Sequence, residues 1–400
     1  MKFLRSYWLS VSLLIFVLPS LAQHGLSEER LHLYDQFLEN EVKEFRTAGA
    51  VSLIYRKGEI AHHWAYGKAQ LDQDAPMSTD HLFFIQSMTK PIISVAFMML
   101  YEEGHFLLDD PVASYIPKFK DLKVSLDPSL GLEAKTEPLE KPITLRHLLS
   151  HTAGLSHGLG SSKLDRAYLE AMYLEPHATV QERMNRMLEL PLMGQPGAQW
   201  YYSAAPDVLS VLIEQFSGQS VDEFLKARIF DPLGMSQTGY NLTDDQLERV
   251  VTVYERDQEG QLIPAEYQPP KQGNTLWSGV NGLYATAGDY LKFCQMLLNG
   301  GSFNGQRFLS RKTVEWMTLN HVGDLYAPQG FGLGFAVLTD LSASQVAGSE
   351  GQYWWNGAYR THFFIDPEEE LIAILMTQTN PYSNYYAEKM RQFVYQAIED

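Results

Sequence analysis

Ser87 and Lys90 stand three residues apart in the run Phe83-Phe84-Ile85-Gln86-Ser87-Met88-Thr89-Lys90, and no other Ser-x-x-Lys occurs in the chain. A serine hydroxyl attacks a carbonyl well only when a neighbouring base takes its proton. A lysine becomes that base when burial lowers its pKa, because desolvation disfavours the ammonium. The residues after Lys90, from Pro91 to Leu100, are apolar apart from Ser94, which is the pattern of a buried helix. Proline is tolerated in the first turn of a helix, so Pro91 sets the helix start near Ser87. Spacing i, i+3 then stacks Lys90 over Ser87 on one face. The Ser87 amide, at the helix N-terminus, is placed to stabilise an oxyanion. The competing reading is a helix cap followed by a surface lysine. The apolar continuation argues against it, because it sets Lys90 at the edge of a core.

A second serine pattern, Gly154-Leu155-Ser156-His157-Gly158, matches the Gly-x-Ser-x-Gly nucleophile elbow. That elbow requires a strand before the serine and a helix after it. Here a helix-like stretch, Leu145 to Ser150, precedes it and the loop-like Gly158-Leu159-Gly160-Ser161 follows, so Ser156 reads as a turn residue. His147 and His151 lie at i, i+4, but no glutamate follows the first and no third ligand stands nearby, so they read as anchors of a helical region rather than a metal site. Cys294 lies among Phe293 and Leu297 and reads as packing. The aromatic cluster Tyr353-Trp354-Trp355, with Tyr201-Tyr202, suits either an apolar pocket or core.

These residues need a scaffold, and the hydropathy pattern describes one. Residues 27–46 carry Leu31, Tyr34, Leu38, Val42 and Phe45 at helical spacing. Residues 50–55 and 60–66 flank the turn Arg56-Lys57-Gly58-Glu59 and predict a hairpin. From about 87 to 235 the pattern is mainly helical, punctuated by Gly104, Gly154, Pro196-Gly197 and Pro232-Leu233-Gly234. A helix over 282–299, a strand over 330–338, strands 361–365 and 371–376, and a helix over 384–398 complete the chain. Strands at both ends with helices between predict an α/β fold: one antiparallel sheet, flanked by helices, with an inserted mainly helical lobe. The expected lobes are the sheet (about 27–85 and 270–400) and the helical insertion (about 87–269).

Composition narrows the function. The chain has 400 residues, 45% of them hydrophobic, enough to bury a sizeable core. Its net charge is −17, which disfavours nucleic acid and anionic lipid as partners, since both need clustered cations. A single cysteine forms neither an internal disulfide nor a cysteine-based metal site. Lys2 and Arg5 precede an apolar run that Pro19 breaks, and Ser20-Leu21-Ala22 supplies small residues for cleavage. This is the pattern of a secretory signal cut after Ala22, so the mature protein is expected to be exported, periplasmic or secreted, without stable membrane insertion. The run is short of the roughly 20 residues that span a bilayer.

From about Gly49 to Asp366 the chain resembles the serine beta-lactamase and penicillin-binding-protein superfamily, in its class C beta-lactamase-like branch with related esterases. The resemblance rests on Ser87-Met88-Thr89-Lys90 with Phe84 and Pro91, on Leu108-Asp109-Asp110-Pro111-Val112, and on the run from Ile143 to Leu155. Pro196-Gly197, Trp200 to Ser203, Asp231 to Met235, Gly282 to Asp289 and Gly330 to Gly334 follow in order. It implies that Ser87 is the nucleophile, Lys90 its basic partner and Tyr202 a proton carrier beside the lysine. The family's second motif, Tyr-x-Asn, reads Tyr202-Ser203-Ala204 here, so the amide-binding asparagine is lost. Its third motif, Lys-Thr-Gly or His-x-Gly, is matched by Trp355-Asn356-Gly357-Ala358. The resemblance assigns the oxyanion hole to the amides of Ser87 and Ala358, and substrate contacts to Trp355, Asn356 and Gly357.

An indole supplies no positive charge where the family normally holds a substrate carboxylate. Losing a charge-assisted contact costs about 1.5–3 kcal/mol. Uncharged acyl esters are therefore expected to be better substrates than beta-lactams, unless Arg360 restores the contact. The expected activity is hydrolysis of acyl esters or amides through a Ser87 acyl-enzyme, with no metal or organic cofactor. A true beta-lactamase, a D-amino-acid peptidase and a penicillin-binding sensor that acylates without turnover are the alternatives. The oligomeric state is not legible.

Overall fold

The computed structural model describes residues 24–400, and the expected export signal, residues 1–22, lies outside them. Eight strands form one antiparallel sheet in the order Gly330–Phe331, Ala336–Val337, Tyr353–Asn356, His362–Asp366, Leu371–Met376, Gly49–Arg56, Glu59–Gln70, Ala75–Pro76. The two ends of the chain meet at its centre, where Val51 faces Met376 and Leu53 faces Ile374. Every residue of Leu371–Met376 is buried, which explains why that strand reads as an uninterrupted apolar run instead of an alternating one. The helix Ala287–Leu298 packs against it on one side, and the helices Tyr385–Tyr395 and Glu28–Lys43 cover the other.

Between the sheet segments lies the mainly helical insertion. Its central member, the helix Thr89–Glu102, is buried from Thr89 through Leu100 and packs along the helix Ala205–Ser217. Burying each large side chain of that helix is worth roughly 1.5–3 kcal/mol, which holds it firmly against its neighbour. Pro91 sits in its first turn, where its missing N–H is not needed. Two of the expected elements are shorter. The segment 282–299 is helical only over Ala287–Leu298, because Tyr284–Ala285 pairs as a strand with Phe83–Phe84. The segment 330–338 is a tight hairpin, not one strand: Gly330 faces Val337 and Phe331 faces Ala336.

Candidate active site

Ser87 lies in a short 3-10 turn, Gln86–Met88, immediately ahead of the buried helix. The strand Phe83–Phe84 delivers the chain to this point, with Ile85 N–H donating to the Leu283 carbonyl at 3.0 Å. Gln86 adopts φ 48°, a left-handed conformation that costs a non-glycine residue about 1–2 kcal/mol. Burial on both sides of this residue maintains the bend that presents Ser87 to a crevice. The Tyr290 hydroxyl clamps the far side by donating to the Met88 carbonyl at 3.0 Å.

Lys90, 1% exposed, lies directly behind Ser87. Its Nζ is 2.9 Å from Ser87 Oγ, 3.0 Å from the Val280 carbonyl and 3.3 Å from His157 Nε2. It also sits 4.6 Å over the Tyr202 ring. Burial pushes its pKa well below the usual lysine value; Asp207 opposes that shift and Arg183 adds to it. Arg183 and Asp207 form a buried ion pair at 2.6 Å. Asp207 also accepts from Ser278 Oγ at 2.8 Å and from the Gly279 amide at 3.0 Å, so this pair anchors the loop that carries the Val280 carbonyl.

Tyr202 opens part of its surface to the crevice, and its ring stacks on His157 at 5.0 Å and tilts against Trp355 at 5.3 Å. Burial raises the pKa of its phenol, and the nearby Ser87 and Trp355 side chains lower it in part. His151 is buried, pairs through Nδ1 with Ser203 Oγ at 2.9 Å, and has its pKa lowered to about 3 by burial and then by Lys90.

The strand Tyr353–Asn356 ends in the turn that carries Gly357 and Ala358. A Cβ on Gly357 would lie 2.1 Å from Thr361 Oγ1 and 2.5 Å from the Ile85 carbonyl. Only glycine lets this turn sit against the segment that leads into Ser87. Ser87, Tyr202, Trp355, Asn356, Gly357 and Ala358 all line one cavity of about 440 Å³. Trp200, Trp354, Tyr326 and Tyr382 make much of the remaining wall, so an aromatic surface surrounds the serine. Of the aromatic cluster, Trp354 and Trp355 face this cavity, whereas Tyr353 packs on Phe335 in the core. The Tyr201 hydroxyl turns away from it, to Asp165 at 3.2 Å.

Arg360 does not join this group. At φ 63° the backbone turns, and its Nε donates to the Pro381 carbonyl at 2.8 Å while the guanidinium lies over Tyr386. The cation in the cavity wall is Arg391, on the C-terminal helix. It stacks on Trp354 at 4.4 Å, and burial lowers its pKa to about 10. Neither Arg391 nor the histidines around Lys90 follow from a local sequence motif, because their partners are remote in the chain. Ser156 is fully buried and donates to Asp165 at 2.6 Å, away from the cavity. His147 closes a capping box with Thr144, and no metal-holding cluster of His, Cys, Asp or Glu occurs among the described residues.

A serine hydrogen-bonded to a desolvated lysine at the start of a buried helix, in a chain built on a large antiparallel sheet, defines a serine hydrolase related to beta-lactamases. The comparisons agree. A Beta-lactamase family model matches residues 34–395. Protein Rv1367c of Mycobacterium tuberculosis is 33% identical over 354 residues, covering 84% of this chain and 86% of that one. Esterase EstB of Burkholderia gladioli is 29% identical over 370 residues, covering 86% and 89%. The solved structure of EstCE1, described as a hydrolase with promiscuous acyltransferase activity, has a TM-score of 0.77 at 27% identity and covers 92% of this chain and 99% of its own. The chain belongs to the beta-lactamase family.

Proposed function

We propose that the protein hydrolyses uncharged acyl esters in two steps through an acyl-enzyme on Ser87. The observation that carries this reading is the 2.9 Å contact between Ser87 Oγ and a Lys90 amine whose burial favours the neutral form. Lys90 takes the Ser87 proton as Oγ bonds to the substrate carbonyl carbon, and the amides of Ser87 and Ala358 receive the oxyanion. When the tetrahedral intermediate collapses, the carbon–oxygen bond to the leaving alcohol breaks. The Tyr202 phenol, kept protonated by its raised pKa, passes a proton to that alcohol and is reprotonated from Lys90. A water then attacks the acyl-enzyme by the same route in reverse, releasing the acid and restoring the Ser87 hydroxyl.

The aromatic wall supports an apolar acyl or alkoxy group. The relatives named as an esterase and a hydrolase support the same class. Arg391 offers a charge to a substrate carboxylate, which keeps beta-lactam turnover as a second reading. A panel of nitrophenyl acyl esters and a chromogenic cephalosporin, run with Ser87→Ala as control, separates them. Esters are expected to be turned over faster, and Ser87→Ala is expected to abolish turnover. Faster cephalosporin hydrolysis reverses the substrate ranking, and an active Ser87→Ala protein refutes the nucleophile.

Export belongs to the same proposal and rests on Lys2, Arg5, the apolar run and Ala22. Mass spectrometry of the mature protein is expected to place its first residue at Gln23. An intact Met1 on the mature protein overturns that.

A further inference from the structure

We propose that His157 is a positioning residue that orients the Lys90 amine on Ser87, in both of the amine's protonation states. The inference rests on the reading of Ser87 and Lys90 given above and adds to it a group that neither motif contains.

Lys90 Nζ has three polar neighbours at hydrogen-bonding distance: Ser87 Oγ, the Val280 carbonyl and His157 Nε2. A main-chain carbonyl only accepts. His157 is buried and its pKa lies well below the usual histidine value, through burial and then through Lys90, so the ring is neutral. The Tyr173 hydroxyl oxygen lies over the ring, 2.8 Å from Nδ1 and 3.4 Å from Nε2. We assign the ring proton to Nδ1, because Nε2 faces the N–H groups of Lys90 and must accept from them.

The proton count then closes in both states. The ammonium donates its three N–H groups to three acceptors. The free amine donates two, to Val280 and His157, and its lone pair faces the Ser87 O–H. Only the Ser87 bond reverses when the proton crosses. Without His157 the amine is free to turn about Cε–Nζ, and its lone pair is no longer held on Ser87.

The other anchors are rigid. The Val280 loop hangs on Asp207, and a Cβ on Gly279 would lie 2.1 Å from the Pro206 carbonyl. The His157 ring is stacked on Tyr202 at 5.0 Å and on Tyr173 at 5.6 Å. The titratable and charged groups that face Lys90 are Tyr202, Tyr173, His151, Asp207 and Arg183. Asp207 and Arg183 act on its proton affinity in opposite directions. Neutral His157 instead sets the direction of the amine.

The test measures kcat, KM and the pH profile of kcat/KM on a nitrophenyl ester for His157→Gln, His157→Asn and His157→Phe. A glutamine oxygen reaches the place of Nε2, and an asparagine oxygen falls short of it. His157→Phe and His157→Asn are expected to lose about ten- to a hundredfold in kcat with KM nearly unchanged, the range of a misoriented general base. Their acid limb should move to lower pH, because the ammonium loses a charge-assisted acceptor and charge-assisted bonds are the stronger ones. His157→Gln should recover the limb and most of the rate. A purely packing role would leave the limb in place. Wild-type kcat and limb in His157→Phe overturn the inference, as does equal behaviour of the Gln and Asn variants. Turnover remaining in Ser87→Ala would overturn the nucleophile reading instead. An inactive Ser87→Ala protein beside unaffected His157 variants would sink the positioning role alone.

Discussion

Asp207 shows how much a single side chain can hold. One carboxylate oxygen pairs with Arg183, while the other collects Ser278 Oγ and the amides of Gly279 and Val280. Removing one partner of a buried ion pair leaves an uncompensated charge and costs about 3–5 kcal/mol. Asp207→Asn is therefore expected to lower the unfolding free energy by that order, read as a lower urea midpoint, and to loosen the carbonyl that holds Lys90. An unchanged midpoint would mean that Arg183 finds another counter-charge. None of this was legible in sequence, since Arg183, Asp207 and Ser278 come from three separate segments. Ser87 and Lys90 were legible because an i, i+3 relation is local and survives any tertiary arrangement. Arg360 was misplaced for the converse reason: two residues beyond Ala358 its backbone takes a left-handed turn, which no periodicity argument anticipates.

At the scale of elements, the turn after Tyr353–Asn356 brings the sheet against the nucleophile segment. Gly357→Ala would set a methyl 2.5 Å from the Ile85 carbonyl and 2.1 Å from Thr361 Oγ1, so the turn must retreat. Displacing a preorganised oxyanion donor costs roughly 10²–10³ in kcat. The variant is expected to lose activity on that scale while the sheet, held by the register of Tyr353–Asn356 on His362–Asp366, keeps its melting temperature within a few degrees. Wild-type kcat in Gly357→Ala would show that the Ala358 amide is not part of the oxyanion hole. Most elements were readable from periodicity, as the helix Glu28–Lys43 within the expected 27–46 shows. The hairpin at 330–337 was not, because its cause is tertiary. A Cβ on Gly332 would lie 2.1 Å from the Met317 carbonyl, and Gly334 turns at φ 100°.

Over the whole molecule, several histidines are buried or half-buried and uncharged. Burial lowers His151 to about 3, and His62 and His147 to about 4, while His157 and His362 are driven well below the usual value. In the unfolded chain each takes up a proton near pH 6.5. Between that value and its folded pKa, the unfolded state binds more protons than the native one. The stability these groups contribute is complete above about pH 6.5 and is lost as the pH falls toward 4 and then 3. The loss is roughly 1.4 kcal/mol for each pH unit between the two pKa values, so His151 alone is worth a few kcal/mol. Carboxylates such as Asp165, held below their usual range by Ser156 and Ser162 against burial, contribute in the more acidic range below about pH 4. The net charge of −17 acts in the opposite direction between pH 6.5 and 4, because an acidic chain loses self-repulsion as it takes up protons. Unfolding midpoints measured from pH 7 to 4 are therefore diagnostic. A steady fall is expected if the neutral histidines dominate. A flat or rising midpoint would mean that the relief of self-repulsion outweighs what the neutral histidines contribute.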